Sequence, residues 1–482
     1  MLAYGATVSS AGAQVDLGTL QSWGFEVYEE IDQTLRVPGT RLFAQSASLS
    51  GEQFGGINQR AFVWPASTQF RVFNTLAQIE PTTYTPILRQ FSDQLHAAYW
   101  NAGYRSGAGG GNRFYDDNAH LVVALAEAYR LTNDPVYLDR AIDTYSFVLE
   151  GEDSAAGGGI YFQQFNDYSK DAISTLQGAR GAAMLYQATG QQSYLDDATR
   201  LLDWANSHIQ QSNGLFYQGF IISTNMPGGV NLVNSAGDGI SANLEIYDAT
   251  GDEDYLTEAQ RIATETLTRY FDSATGRLNP EGYWAFELVD ALNNLYLHDR
   301  NPLWLSKVNT AMAWLHDNKR DPNGHYDVFW GRNGPLVGEF SSWNLNEQAA
   351  VARAYLYSSI DWSELPNPLL GDVNQDGILS TLDFQDFVAG WLVDTSSFSD
   401  FNKIKAGDLN LDGRTGVEDF VRLRTALSNA GVVIDPGAWQ AANVVPEPHS
   451  LWFAVVGFAL FIAGRSGARM AAWEYRSLRG QD

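Results

Sequence analysis

An offset of eight residues between aromatic positions recurs along this chain and leaves little freedom in what it can fold into. Tyr129 precedes Tyr137, Tyr186 precedes Tyr194, Tyr247 precedes Tyr255 and Tyr296 precedes Trp304, while Leu76 and Tyr84 hold the same offset more faintly. Between the two members lies a short polar turn rich in Thr, Gly, Asn or Asp, flanked by apolar patterns of helical period. The copies recur about every 50–60 residues, a helical hairpin plus a long connector.

The periodicity predicts helices over Leu17–Val37, Ser67–Ile79, Tyr84–Trp100, Phe114–Leu131, Pro135–Leu149, Lys170–Ala188, Ser193–Gln211, Asn234–Ala249, Glu253–Phe271, Glu281–His298, Leu303–Asn318 and Trp343–Ser358. Pairing the odd helix at each end closes a ring, so the main domain, residues 15–360, is expected to be an all-α (α/α)6 barrel. Ala172–Tyr186 and Ser235–Tyr247 carry small residues on several faces, as inner helices should, whereas Leu195–Ile209 is apolar on one side only. The short turns then share one end of the barrel. The long connectors share the other and carry most of the loop aromatics, where a rigid scaffold presents binding residues.

Bulk properties narrow the partners. A formal charge of −26 disfavours nucleic acid and anionic membranes. Aromatics make up 13%, including 14 Trp, a surplus suited to stacking on sugars, and the absence of cysteine excludes disulfides and thiolate metal sites.

At the connector end, a glycine-rich loop (Ser106–Asn112) runs into Arg113-Phe114-Tyr115-Asp116-Asp117-Asn118-Ala119-His120. Neighbours on a helix point about 100° apart, so both carboxylates can line one mouth without stacking on each other. A configuration-retaining glycosidase needs such a pair, one nucleophile and one acid/base; a plain alternative is that acidic residues favour a helix N-terminus. The candidate catalytic residues are therefore Asp116 and Asp117. The candidate sugar-binding residues are Trp64, Tyr115, Tyr161, Phe162, Tyr168, Asp171, Asp238, Trp284 and Trp330. The glycine runs lack the Lys-Ser/Thr of a phosphate loop and read as flexible segments near the substrate.

YDDNA opening an inner helix, ALAEAYRLTNDPVYLDRA after it, GGGIYF in the next connector and the later Tyr-x-x-Thr-Gly turns resemble glycoside hydrolase family 76. The similarity covers about residues 15–358. It implies an (α/α)6 endo-α-1,6-mannanase in which Asp116 is the nucleophile and Asp117 the acid/base. Relatives often carry Trp where this chain has His120 and Phe162. Other glycan-active (α/α)6 enzymes, for example ones acting on uronates, and a non-catalytic surface glycan-binding protein are the alternatives.

A linker (361–370) leads to a repeated acidic loop in residues 371–432. Asp372, Asn374, Asp376, the Ile378 carbonyl, Ser380 and Asp383 fall at calcium-loop spacing, and Asp408, Asn410, Asp412, the Arg414 carbonyl and Asp419 repeat it 36 residues on. With short helices following, this EF-hand-like module resembles a type I dockerin. The resemblance implies bound Ca2+ and a cohesin-like partner. After a second linker (433–445), Pro446-Glu447-Pro448 precedes the apolar run Leu451–Gly464 and then Arg465 and Arg469. Fourteen apolar residues are short for a membrane span. Residues 446–470, with the tail 471–482, are similar to a PEP-CTERM sorting signal. That implies an exosortase-type processing enzyme and export to the cell envelope or surface of a Gram-negative bacterium, or release from it. Residues 1–14, with Ala11-Gly12-Ala13, read as a remnant signal segment.

Overall fold

The eight-residue offset has a local mechanical cause. In the computed structural model, the carbonyl of the first aromatic accepts the N–H of a residue four positions on: Tyr129 from Asn133, Tyr186 from Gly190, Tyr247 from Gly251 and Tyr296 from Arg300, at 2.7–2.9 Å. Each of those residues is left-handed (φ 53°, 68°, 70° and 52°), which ends the helix. The next residue is extended and caps the following helix, and Asp134, Asp252 and Asn301 do so by accepting from Val136, Asp254 and Leu303 backbone N–H. The second aromatic sits three residues further on, its N–H donating to the cap carbonyl. The fainter Leu76–Tyr84 copy lacks the left-handed residue, and its turn passes straight into Pro81.

The structure describes residues 14–278, 282–332, 334–366, 369–398 and 400–433. The segments at 1–13 and 434–482, including the sorting-signal resemblance, lie outside the described residues. Among the described residues, no helix is long and apolar enough to cross a membrane.

Among the described residues, twelve helices build the main domain. They are α1 (Leu17–Glu30), α2 (Val63–Ile79), α3 (Pro81–Tyr99), α4 (Tyr115–Thr132), α5 (Pro135–Leu149), α6 (Ala172–Thr189), α7 (Gln192–His208), α8 (Val233–Thr250), α9 (Glu253–Tyr270), α10 (Phe286–Asp299), α11 (Pro302–Lys319) and α12 (Leu345–Ser358). The even-numbered helices pack in order, and α12 returns against α2, so they form a closed inner ring; α1 lies against α12. Burial follows position: α8 is buried from Val233 to Ala249, whereas α7 buries one stripe, including Leu195, Ala198, Leu202 and Trp204. Inner helices come close where side chains vanish. A Cβ at Gly237 would lie 2.6 Å from the backbone of Glu287 in α10.

Several boundaries differ from the sequence expectation: Lys170 lies in a strand and α6 starts at Ala172, α3 starts at Pro81, and α10 starts at Phe286 after a 3-10 turn. The first helix loosens into a π-helical turn, Ile31–Leu35, α2 starts at Val63, and Trp343 belongs to a strand. The all-α expectation also missed two small antiparallel sheets in the long connectors. One has the order β2-β1-β7 (β1 Ser46–Ser48, β2 Gln53–Phe54, β7 Ser342–Asn344). The other has the order β3-β4-β5-β6 (β3 Tyr161–Gln163, β4 Asn166–Asp171, β5 Gly219–Ile221, β6 Met226–Gly228). Connectors that cover a barrel mouth must pair their half-buried backbone groups, and strand ladders do that.

After the barrel come α13 (Thr381–Ala389), α14 (Asp400–Lys405) and α15 (Val417–Asn429). Val373, Phe384, Phe387, Leu409, Leu423 and Leu427 form their own small core. This module sits at the short-turn end. Its α15 contacts α8, Leu379 packs on both cores, and the Tyr247 hydroxyl donates to the Gly377 carbonyl at 2.9 Å.

Candidate active site

The loop before α4 is pinned rather than flexible. Ser106 N–H donates to Asn112 O at 2.7 Å, Gly107 and Gly110 exchange backbone bonds, and a Cβ at Gly107 would meet Ile57 at 2.4 Å. Gly107 and Gly111 serve close packing, a Cβ at Gly111 falling 2.2 Å from the Ser106 hydroxyl, while Gly110 faces open space. Asn118 completes the clamp, accepting from Tyr104 N–H at 2.7 Å and donating to the Tyr104 and Phe114 carbonyls. The first turn of α4 is thereby fixed, and with it Asp116 and Asp117.

Both carboxyls open into a cleft of about 840 Å³ at the connector end. Asp116, Asp117, His120 and Asp171 lie along it with the aromatic rings of Phe62, Trp64, Phe114, Phe162 and Tyr283. Amides from Gln45, Asn112, Gln218, Asn234, Asn344 and Asn346, with Glu347, supply polar groups to the lining. Burial, reinforced by Asp117 and Asp171, holds the Asp116 carboxyl well above the usual range, and its Oδ1 has no hydrogen-bond partner. Burial pushes Asp117 up to about 7 and Asp171 up to about 6. Two carboxyls in one dry site titrate as a pair, so the pair retains a proton near neutrality. Across the cleft, burial pushes Glu347 up to about 7, although Asn344 donates to it at 2.8 Å.

Burial keeps His120 neutral. Its pKa falls to about 4 through burial, opposed by Glu287, 3.5 Å away, and reinforced by Arg71 and Arg180. Arg71 in turn bonds Glu287 at 2.6 Å, Asp290 at 2.8 Å and Glu127 at 3.3 Å. Arg353 reaches Asp290 at 2.9 Å, Arg180 reaches Glu127 at 3.4 Å and Glu245 at 4.0 Å, and Arg130 bonds Glu245 at 2.8 Å. Every inner helix thus contributes a charge to the barrel axis, and four arginines face four carboxylates.

The candidates named from sequence separate into three groups. Asp116, Asp117, Trp64, Phe162 and Asp171 line the cleft together. Tyr168 lies beside it, in a smaller depression on the β3–β6 sheet. Tyr115, Tyr161, Asp238, Trp284 and Trp330 are placed elsewhere. Tyr115 stacks on Phe147 at 5.0 Å, and Tyr161 lies under the Lys170 ammonium and donates to Asp153. Trp330 is buried. Trp284 packs edge-on against Tyr283, which takes the place in the cleft. Asp238 is fully buried and accepts from Gln177 at 2.7 Å; burial and Glu287 raise its pKa well above the ordinary value. Successive side chains on a strand point to opposite faces, so Phe162 faces the cleft while Tyr161 turns inward.

Sequence reasoning missed Tyr283 and the amides. Tyr283 could have been found as an aromatic at a connector end beside Trp284. Asn346, which accepts from Thr68 and donates to the Tyr283 hydroxyl, carries no such signal.

The family model described as Glycosyl hydrolase family 76 matches residues 41–282, just over half of the chain. No curated protein matches the chain. Among solved structures, an α-mannanase of that family from Bacteroides thetaiotaomicron is 26% identical, with a TM-score of 0.66 over 71% of this chain and 98% of its own. An α-1,6-mannanase from Salegentibacter sp. is 19% identical, with a TM-score of 0.60 over 70% of this chain and 98% of its own. An inactive variant of the Salegentibacter protein, with two consecutive aspartates replaced by asparagine, is in complex with α-1,6-mannotriose; it is 18% identical with a TM-score of 0.60, over 70% of this chain and 99% of its own.

Proposed function

This chain belongs to glycosyl hydrolase family 76, and from that premise we propose that it is an endo-acting α-mannanase cleaving α-1,6 linkages with retention of configuration. The observation that carries the reading is the Asp116–Asp117 pair at the floor of an aromatic cleft that opens at one end of the barrel. None of the described residues lining the cleft is Lys or Arg, which favours a neutral sugar over a uronate. An Asp116 oxygen attacks the anomeric carbon as Asp117 gives its proton to the departing glycosidic oxygen. A covalent glycosyl ester on Asp116 results. Water, deprotonated by Asp117, then attacks the same carbon and releases Asp116, which restores the original configuration. Sugar hydroxyls donating to Asp116 select its ionised form and leave the shared proton on Asp117. Following the anomeric configuration of the first product by NMR tests the scheme; an inverted product rules out the covalent step.

The pH dependence follows from the proton on Asp117. With its carboxyl pushed up to about 7, the acid is protonated below that pH and loses its proton above it. Because Asp116, whose own pKa is also raised, must be ionised to attack, the active pair carries one proton. We expect a bell-shaped kcat/KM that falls at acid pH, where both carboxyls are protonated, and at alkaline pH, where neither is. A profile still flat at pH 9 removes Asp117 from the acid role.

The C-terminal module is proposed to hold calcium. Among the described residues, no group of three or more His, Cys, Asp or Glu side chains is arranged as a metal cage. The oxygen donors nevertheless fit a hard cation, because both loops fold alike. Asp372 accepts from Asp376 and Gly377 N–H, as Asp408 does from Asp412 and Gly413. Asp383 accepts from Asn374 and Ser380 N–H, as Asp419 does from Asn410 and Gly416. All four of these carboxylates are buried, and buried charge needs a partner. Calcium would be held by these residues with Asn374, Asp376, Ser380, Asn410, Asp412 and the Ile378 and Arg414 carbonyls, and would supply structural cross-linking only. Calorimetry on the full chain is expected to show two calcium ions bound, with one lost in each of Asp372→Ala and Asp408→Ala. No heat of binding overturns the assignment. The dockerin and sorting resemblances extend the proposal to a cohesin-type partner and to exosortase-processed export.

A further inference from the structure

The depression on the β3–β6 sheet, about 350 Å³, shares Phe162, Asp171 and Gln218 with the catalytic cleft. The two are therefore continuous around the Phe162 ring, which is 41% exposed. Beyond it stands Tyr168, 62% exposed, a large ring that folding leaves in water although apolar surface gains by being covered. The floor is bare backbone. A Cβ at Gly219 would lie 2.3 Å from the Lys170 carbonyl, and one at Gly228 would lie 2.7 Å from Ile221. At both positions the missing side chain makes room for the neighbouring strand, so these glycines serve the close packing of the sheet and leave its main chain as the floor. Asn166, Ser169 and Gln218 supply neutral hydrogen-bonding groups at the edge, and no Lys or Arg lines the depression among the described residues.

We propose that this shelf is a distal sugar subsite, taking a neutral hexosyl unit of the same glycan chain that Asp116 and Asp117 cleave, stacked on Tyr168. The proposal rests on the α-mannanase reading and deepens it. Continuity with the cleft argues for the substrate's own chain as occupant, because a polymer cut in its middle must leave the catalytic centre along a lined path. A flat apolar ring over a hydrogen-bonding rim matches a pyranose, whose C–H face and hydroxyl edge differ in polarity. The shelf therefore makes the enzyme favour long chains.

The test compares the full chain and its Tyr168→Ala variant on α-1,6-mannooligosaccharides of increasing length. The ratio of kcat/KM for the longest substrate to that for the shortest is expected to fall about three- to tenfold, the effect of one lost stacking contact. The loss should appear in KM rather than kcat. An equal effect at all lengths overturns the subsite while leaving the mannanase reading intact. If no oligosaccharide is cleaved, the mannanase reading fails, and affinity electrophoresis in gels of neutral mannan still tests the shelf. Weaker retardation of Tyr168→Ala than of the unaltered chain supports it, and equal or absent retardation overturns it.

Discussion

Asp116→Asn and Asp117→Asn are each expected to lower α-mannan hydrolysis at least about a hundredfold, while both variants fold normally. The loss has different causes in the two cases, and substrate chemistry separates them. An aryl α-mannoside with a good leaving group needs no acid for the first step, so Asp117→Asn should still release the phenol in a burst. Asp116→Asn lacks the attacking oxygen and should release none. Stability should move the other way. Asp116 carries an oxygen without a hydrogen-bond partner, and burial with Asp117 and Asp171 disfavours its charge. Replacing either carboxyl with a neutral isostere removes that repulsion, so melting temperatures at neutral pH should be unchanged or higher. Near-normal turnover in either variant ends the catalytic assignment, and a lowered melting temperature in both would assign the pair a structural role instead.

What was legible in the sequence follows the range of the interactions. The helical hairpins were visible because their turns are local: Tyr186 to Gly190 and Tyr247 to Gly251 are four-residue relations that leave a repeating trace. The Asp116–Asp117 pair was visible because both carboxyls stand on one turn of helix. The aromatic lining was only half visible. Phe162 and Tyr161 look alike as letters, and only the strand that exposes one and turns the other under Lys170 tells them apart. The short sheets were hidden, since six of the seven described strands have only two or three residues, too few to show a period. Glu287 falls inside the helix expected over Glu281–His298, where a buried carboxylate needs a partner. That the partner is Arg71, 216 positions away, lies in the ring closure and in no local pattern.

The largest stability effect is expected at that same pair. Arg71 is 1% exposed and reaches Glu287, Asp290 and Glu127 together. Arg71→Met retains the apolar stem but leaves Glu287 buried without its closest partner, a change that costs about 3–5 kcal/mol. Asp290 suffers less, because Arg353 still holds it at 2.9 Å and because burial already pushes it up to about 6 despite Arg353 and Arg71. The pH dependence identifies the cause. Burial raises Glu287, but Arg71, His120 and Arg180 outweigh it and hold its pKa below the ordinary value. In the intact protein Glu287 therefore contributes stability above its unfolded pKa, and that contribution is lost as pH falls through its folded pKa. Without Arg71, burial would lift Glu287 above the unfolded value, and its contribution would instead decline as pH rises. The difference in melting temperature between Arg71→Met and the intact chain should accordingly widen from pH 4.5 to pH 7.5, around the unfolded carboxylate value of about 4.3 and upward. Adding Glu287→Gln to Arg71→Met should recover part of the loss at the higher pH. A loss of equal size at both pH values would assign the effect to packing, since Arg71 also lies over the Phe286 ring at 5.4 Å.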